Sequence, residues 1–280
     1  MIQHTTPGTL TSRKITSAKN PLLREVRRAL TRGELTADGC CIVETFHLLE
    51  EAIRSNRPIR AVLAAESVGT AVATHVKGLR HTQVQVVPDE LFQAVVSTES
   101  AQGVIALVEP PSWTVDELFR GTSFVLILDG VQDPGNAGTM VRTAEAFGAT
   151  GAMFLKGSVS PFNAKTLRAS AGSLFRLPFL HTVDADVARA ALQQRRVDVY
   201  AADPHGEKSL QQVDLTRRCA LLVGSEAHGV SAKMRGCALD VRIPTAGVES
   251  LNAAVAASVI LYEAARQRML AAGKHTRESV

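Results

Sequence analysis

The stretch FVLILDG, Phe124 to Gly130, stays apolar without alternation until it meets an aspartate and a glycine. A strand with one wet face would alternate, so this one is expected to be buried on both faces. Such a strand belongs in the middle of a parallel sheet covered by helices. Four further short runs follow: GAMFL (Gly151 to Leu155), VDVYAAD (Val197 to Asp203), CALLVG (Cys219 to Gly224) and LDVRIP (Leu239 to Pro244). Helical patterns separate most of them, which predicts an α/β domain with a parallel sheet.

The first half repeats the alternation on a smaller scale. CCIVE (Cys40 to Glu44), IRAVLAA (Ile59 to Ala65), VQVVP (Val84 to Pro88) and QGVIALVEPP read as four strands. Between the first two, TFHLLEEAIRSN places Phe46, Leu49 and Ile53 on one helical face. DELFQAVVS reads as a short helix with Asp89 as its N-cap. Pro110 and Pro111 followed by Ser112 form the best boundary in the chain. The expected organisation is a first domain over residues 12–110, a linker over 111–122, a second domain over 123–270 and a frayed tail over 271–280.

Composition narrows the class. The chain has 280 residues, 45% of them apolar, which is too much buried-type surface for a disordered protein. Lys and Arg number 31 against 27 acids, a net charge of +4. That excess is not spread evenly. Arg13, Lys14, Lys19, Arg24, Arg27, Arg28 and Arg32 precede Gly33 with only Glu25 among them, and 24 bases face 26 acids in the remainder. An anionic partner is therefore expected at the N-terminal end. No run approaches the roughly 18–20 apolar residues that span a bilayer, and MIQHTTPGTLTSRK lacks the apolar core of a secretory signal. Cys40, Cys41, Cys219 and Cys237 form no C-x-x-C, so neither a disulfide framework nor a zinc site is expected. A reduced, soluble, cytoplasmic protein without a metal is the expectation.

Three glycine-rich turns fall at the ends of buried strands. The first, LDGVQDPGNAGTMVRTAEAFGA, leads into a helix from about Asn136 to Phe147 capped by Gly148. Its glycines do not have the G-x-G-x-x-G spacing of a dinucleotide fingerprint, and no acid ends the next strand. A tight turn with a helix cap accounts for the glycines and Asn136. It does not account for Arg142 in an otherwise small, apolar helix, unless Arg142 pairs with Glu145. The second turn, LLVGSEAHGVS, carries Glu226 just beyond a strand's carboxyl end, where open α/β sheets bind ligands; a solvated loop carboxylate is the alternative. His228 is read as a bystander. In the third, IPTAGVESLNAAVAASVILYEAARQR, a long helix starts near Ser250, a good N-cap, and Asn252 has no capping duty of its own. That helix is apolar nearly all round, which predicts either a core position or a subunit interface.

NAGTMVRTAEAFGA, GSEAHGVS and IPTAGVESLNAAVA, in that order, resemble the three motifs of the SpoU (TrmH-type) RNA 2′-O-ribose methyltransferases of the SPOUT superfamily. PFNAKTLRASAGSLFRLP resembles the segment between the family's first two motifs. ITSAKNPLLREVRRAL, CCIVETFHLLEEAI and STESAQGVIALV resemble the substrate-binding domain that precedes it, so the likeness covers about residues 13–270. One departure is Thr45, where the family commonly has glycine.

The resemblance implies a parallel-sheet SPOUT domain with a C-terminal trefoil knot, behind a smaller α/β, ribosomal-protein-like RNA-binding domain. It implies S-adenosylmethionine as methyl donor, held at Gly224, Ile243 and Leu251, and a homodimer across the knot helices with active-site parts from both subunits. Arg142 matches the motif-one arginine and is expected to touch the target phosphate or O2′ and lower the hydroxyl's pKa. Asn136 and Glu226 are expected to organise Arg142 and the loops, and Ser250 and Asn252 to position the ribose or help with its proton. Lys19, Arg24, Arg27 and Arg28 are expected to grip RNA phosphates. Few aromatics could offer a stacking platform, which favours folded RNA. The implied substrate is rRNA. A tRNA substrate, or an RNA-binding protein of this fold without activity, is the alternative.

Overall fold

The computed structural model describes residues 12–79, 82–96 and 102–277. The chain forms two compact units. One extends to Pro111 and includes Phe162–Ala164; the other comprises Ser112–Pro161 and the chain from Lys165 onward.

The first unit runs β1 (Ser12–Lys14), α1 (Pro21–Arg32), β2 (Cys41–Val43), α2 (Phe46–Arg54), β3 (Ile59–Ala65), α3 (Gly69–His75), β4 (Gln83–Val87), α4 (Asp89–Gln93) and β5 (Val104–Val108). Its sheet has the order β1-β4-β3-β5-β2. β1, β4 and β3 are mutually parallel, and β5 runs antiparallel to both β3 and β2. α1 begins where Asn20 accepts the Leu22 N–H and Pro21 fixes the first φ, and it ends on Gly33 in the left-handed region. Leu23, Val26, Ala29 and Leu30 recur at helical spacing and are buried against Ile42, Leu63, Phe92 and Ile105. α2 starts at Thr45, whose hydroxyl accepts the Leu48 N–H. The threonine in place of glycine thus serves as a helix cap. Asp89 does not cap α4; its carboxylate takes the Ser67 N–H and hydroxyl instead. The STESA portion of the family-like segment, residues 97–101, lies outside the described residues.

The second unit runs α5 (Val115–Leu118), β6 (Phe124–Asp129), α6 (Pro134–Ala146), β7 (Gly151–Leu155), α7 (Ala164–Ser170), β8 (Phe179–Val183), α8 (Ala185–Gln194), β9 (Asp198–Ala202), β10 (Lys208–Ser209), β11 (Cys219–Gly224), α9 (Ala232–Arg235), β12 (Leu239–Arg242) and α10 (Ala253–Arg277). The stretch expected as a linker carries α5. A Thr114–Glu117 capping box starts it, and fully buried Leu118 packs so tightly on Gly151 that a Cβ there would lie 2.5 Å away. The sheet order is β10-β12-β9-β11-β6-β7-β8, and every pairing is parallel. β6 and β11 are buried at all six positions, as the unbroken apolar runs predict.

The order of strands places the site. The chain steps outward from β6 to β7 and β8, crosses to β9 on the far side, and then inserts β11 between β9 and β6. Connections therefore diverge between β6 and β11, and a crevice opens at their carboxyl ends, where Asp129 pairs with Gly224. α10 packs on α6 and β11, burying Ala254, Ala257, Ile260, Leu261 and Ala264. Its other side leaves Val255, Val259 and Tyr262 exposed. The helix continues to Arg277, through most of the stretch expected to fray. Among the described residues no helix is long and apolar enough to cross a membrane.

Candidate active site

Gly224 ends β11 where two stretches of backbone almost touch. A Cβ on Gly224 would sit 2.1 Å from the Gly229 carbonyl carbon and 2.2 Å from the Val230 nitrogen, so only glycine fits. Ser225 and Gly229 then close the turn by paired backbone hydrogen bonds of 3.0 and 2.9 Å. Asp129, at the end of β6 and buried, accepts the Ser231 N–H at 2.7 Å. This tie between the two central strand ends was not singled out in the sequence; an acid closing an unbroken apolar run was the signal for it.

α6 starts from Asp133, whose carboxylate accepts the Asn136 N–H at 2.7 Å. That bond and the nearby Lys165 hold Asp133 below the usual carboxylate range. Asn136 is thus not the cap, and its side chain is released for a longer reach. Its Nδ2 donates to Glu226 Oε1 at 2.8 Å, and its Oδ1 accepts from Asn252 Nδ2 at 3.2 Å. Asn252 Oδ1 in turn accepts the N–H groups of Ala254 and Val255 at 2.9 and 3.2 Å. Asn252 therefore is the N-cap of α10, which corrects both its assignment as a non-capping residue and that of Ser250 as the cap. The polarity of the chain is fixed throughout. A capping oxygen must accept, which turns the Asn252 amide toward Asn136, and that turns the Asn136 amide toward the carboxylate of Glu226. Three motifs distant in sequence are joined at one point.

A cleft of about 540 Å³ opens beside this chain. Gly224, Glu226, Ile243, Ser250, Leu251 and Asn252 all line it, so the structure gathers seven of the eight residues expected in catalysis and cofactor binding when Asn136 is added through its bonds. His228 and Glu249 line it too, with the His228 N–H bonded to the Ser225 hydroxyl. Val223, Val241, Ala256 and Ile260 give it an apolar wall, and Asp203 and Arg235 stand on another. Such a volume and lining suit a nucleoside-sized ligand.

Arg142 is the exception. It lies exposed on α6, six residues beyond Asn136, or about 9 Å along the helix axis, and does not line the cleft of its own chain. The alternative pairing with Glu145 does not form. Glu145 is held by Arg176 at 2.6 and 2.9 Å, and although burial raises its pKa, Arg176 and Ser173 bring it below the usual range. Among the described residues Arg142 makes no ion pair.

In the first unit the four basic candidates divide. Arg28 is committed to Glu25 through two hydrogen bonds of 3.1 and 2.7 Å, and Arg27 donates to the Ala94 carbonyl at 2.8 Å. Lys19 and Arg24 are exposed, and among the described residues neither side chain has an ion partner.

A parallel α/β domain with a nucleoside-sized cleft at its strand switch point, closed by a polar chain that unites three loops, defines a ligand-binding enzyme domain. Residues 123–262 match the SpoU rRNA Methylase family and residues 20–106 the MRM3-like substrate binding domain. The chain belongs to the SpoU rRNA methylase family. It is 32% identical to the 23S rRNA (guanosine(2553)-2′-O)-methyltransferase RlmP of Bacillus subtilis, over 89% of this chain and 98% of the relative. It is 31% identical to the 23S rRNA (uridine(2479)-2′-O)-methyltransferase of Streptomyces viridochromogenes, over 92% and 93%. The crystal structure of the SpoU methyltransferase AviRb from Streptomyces viridochromogenes, in complex with the cofactor AdoMet, superposes with a TM-score of 0.81 at 29% identity, covering 90% of this chain and 99% of that one.

Proposed function

We propose that this chain transfers a methyl group from S-adenosylmethionine to a ribose 2′-hydroxyl of ribosomal RNA. The observation that carries the reading is the cleft at the β6/β11 switch point, where Asn136, Glu226 and Asn252 form one hydrogen-bonded chain. Full-length likeness to relatives that are 23S rRNA 2′-O-methyltransferases supports the substrate class.

The donor supplies an electrophilic methyl on a sulfonium centre. Gly224, Ile243 and Leu251 would hold it, with turn backbone and apolar side chains on its two sides. The rest is work for the protein. A ribose hydroxyl is a weak acid, so the site must favour the alkoxide by charge and hydrogen bonds as its proton leaves. Arg142 stays charged and offers five donors, enough to hold O2′ and an adjacent phosphate together. Asn136 and Glu226 order the loops, and Ser250, exposed at the cleft, is placed to meet the ribose.

A homodimer belongs to the same reading. Val255, Val259 and Tyr262 form an exposed apolar stripe on α10, with Tyr262 edge-on to Phe147, the residue that follows α6, at 5.6 Å. A second copy over this face would cover the stripe and meet the flank of α6 that carries Arg142, which is absent from its own cleft. A trefoil knot in the C-terminal segment and a cytoplasmic location, where ribosomal RNA is modified, complete the proposal.

The test is methylation of ribosomal RNA by Arg142→Ala alongside calorimetry with S-adenosylmethionine. Loss of a transition-state charge contact should cost on the order of 100-fold or more in rate while donor affinity is kept. Near wild-type methylation would remove Arg142 from the chemistry.

A further inference from the structure

The cleft has a second polar wall, on the flank of the Gly224–Gly229 turn away from Asn136. Asp203 stands immediately past the carboxyl end of β9 and lines the cleft together with Arg235. Arg235, the last residue of α9, lies beside Gly229, with Nη2 3.7 Å from where a Cβ on that glycine would be. Its guanidinium bridges two acids, donating to Asp203 Oδ2 at 2.9 Å and Asp240 Oδ2 at 2.6 Å. The His205 N–H donates to the other oxygen, Oδ1 of Asp203, at 2.8 Å. Burial pushes Asp203 upward, but the His205 amide and Arg235 outweigh it and keep the group ionised below the usual carboxylate range. Each carboxylate oxygen thus has one donor fixed by the protein and one accepting site left. The side chain is only 16% exposed, and it belongs to the cleft wall.

We infer that Asp203 accepts hydrogen bonds from the vicinal ribose hydroxyls of the bound cofactor, and that Arg235 is the positioning residue that fixes the carboxylate for them. The inference rests on the cleft being the S-adenosylmethionine site. Two accepting sites on one planar group match two adjacent hydroxyl donors. The guanidinium already supplies the carboxylate with a cation, so the vacant positions call for neutral donors. The Asn136–Glu226–Asn252 chain marks the flank where the methyl group must meet RNA; Val223, Val241 and Ile243 line the same cleft, and the Val241 carbonyl accepts the Asp203 N–H at 3.0 Å. A nucleoside laid along them brings its sugar to the acid. Acidic side chains at strand ends of other nucleotide-binding α/β domains take ribose hydroxyls for the same reason.

The experiment is a binding cycle by calorimetry on the full chain, with S-adenosylhomocysteine and its 2′,3′-dideoxyribose analogue as probes. Wild type should prefer the ribose ligand by about 10-fold or more, as for hydrogen bonds to a charged group. Asp203→Ala should lose that preference, binding both ligands about as the wild type binds the dideoxy one. Arg235→Lys, which keeps the charge but not the fork, should fall between. The proposal is overturned if wild type does not discriminate, if Asp203→Ala keeps the preference, or if that variant weakens both ligands equally, which would mark a purely structural acid. If wild type binds neither probe, the cofactor reading of the cleft fails, and this inference fails with it.

Discussion

At the scale of single residues the site depends on positions where one atom decides the outcome. Gly224 is the sharpest case, because all three nearest neighbours of an added Cβ are backbone atoms at 2.1–2.4 Å. No rotamer change can relieve that contact, so Gly224→Ala must open the turn that bears Glu226. The variant should lose about 1–3 kcal/mol of stability, the usual cost of forcing an extra carbon into a packed site, and should bind S-adenosylmethionine at least about 10-fold more weakly. Thermal melting and calorimetry together check this, and near wild-type affinity would show that the turn does not shape the cleft. Asn252 teaches a different lesson. In the sequence the best local cap is Ser250, which leaves Asn252 no capping duty. The helix starts later because Asn252 satisfies two backbone donors while bonding Asn136, 116 residues away in the chain. A contact at that separation leaves no trace in local propensity.

At the scale of elements, legibility followed burial. β6, β7 and β11 were readable because strands buried on both faces are written as unbroken apolar runs. β8 was missed. Its sequence FLHTV carries His181 and Thr182 on an edge strand with mostly half-exposed or exposed positions, so its pattern is that of a loop. β10 spans two residues and offers no pattern at all. The apolar face of α1 was not singled out in the sequence, and neither was the pairing on its other side. There the Arg28 side chain, with help from the Ala37 amide, draws Glu25 down to about 2 from an ordinary 4.5. A carboxylate lowered in the folded state adds stability that is complete above its unfolded pKa and disappears as pH falls through the folded one. The window is therefore about pH 4.5 down to about pH 2. Arg28→Gln should be less stable than wild type near neutral pH, and the gap should close as the pH approaches 2. Thermal melts across that range measure it; a gap independent of pH would show that Arg28 acts through packing alone.

At the scale of the whole molecule, the seven early basic residues point together to an anionic partner, and the structure separates them. Lys14 pairs with Glu66, Arg28 with Glu25, and Arg27 is turned to a backbone carbonyl. Lys19 and Arg24 remain exposed without an ion partner among the described residues. A net charge of +4 could not show this, because pairing depends on where the fold brings acids from elsewhere in the chain. The proposed trefoil knot would be equally invisible to periodicity, since no local pattern encodes threading. The distinction among the basic residues is measurable through salt. Each phosphate contact releases counterions and adds about 0.7–0.9 to the slope of log affinity against log salt. Lys19→Ala and Arg24→Ala should each flatten the slope for ribosomal RNA fragments by about that amount, weakening binding to all sequences alike. Arg28→Ala should leave the slope unchanged, because its charge is already matched by Glu25. Filter binding or fluorescence anisotropy at several salt concentrations decides the matter. If all three variants flatten the slope equally, the Arg28–Glu25 pair opens when RNA arrives, and α1 engages the phosphates as one charged face rather than through its unpaired cations.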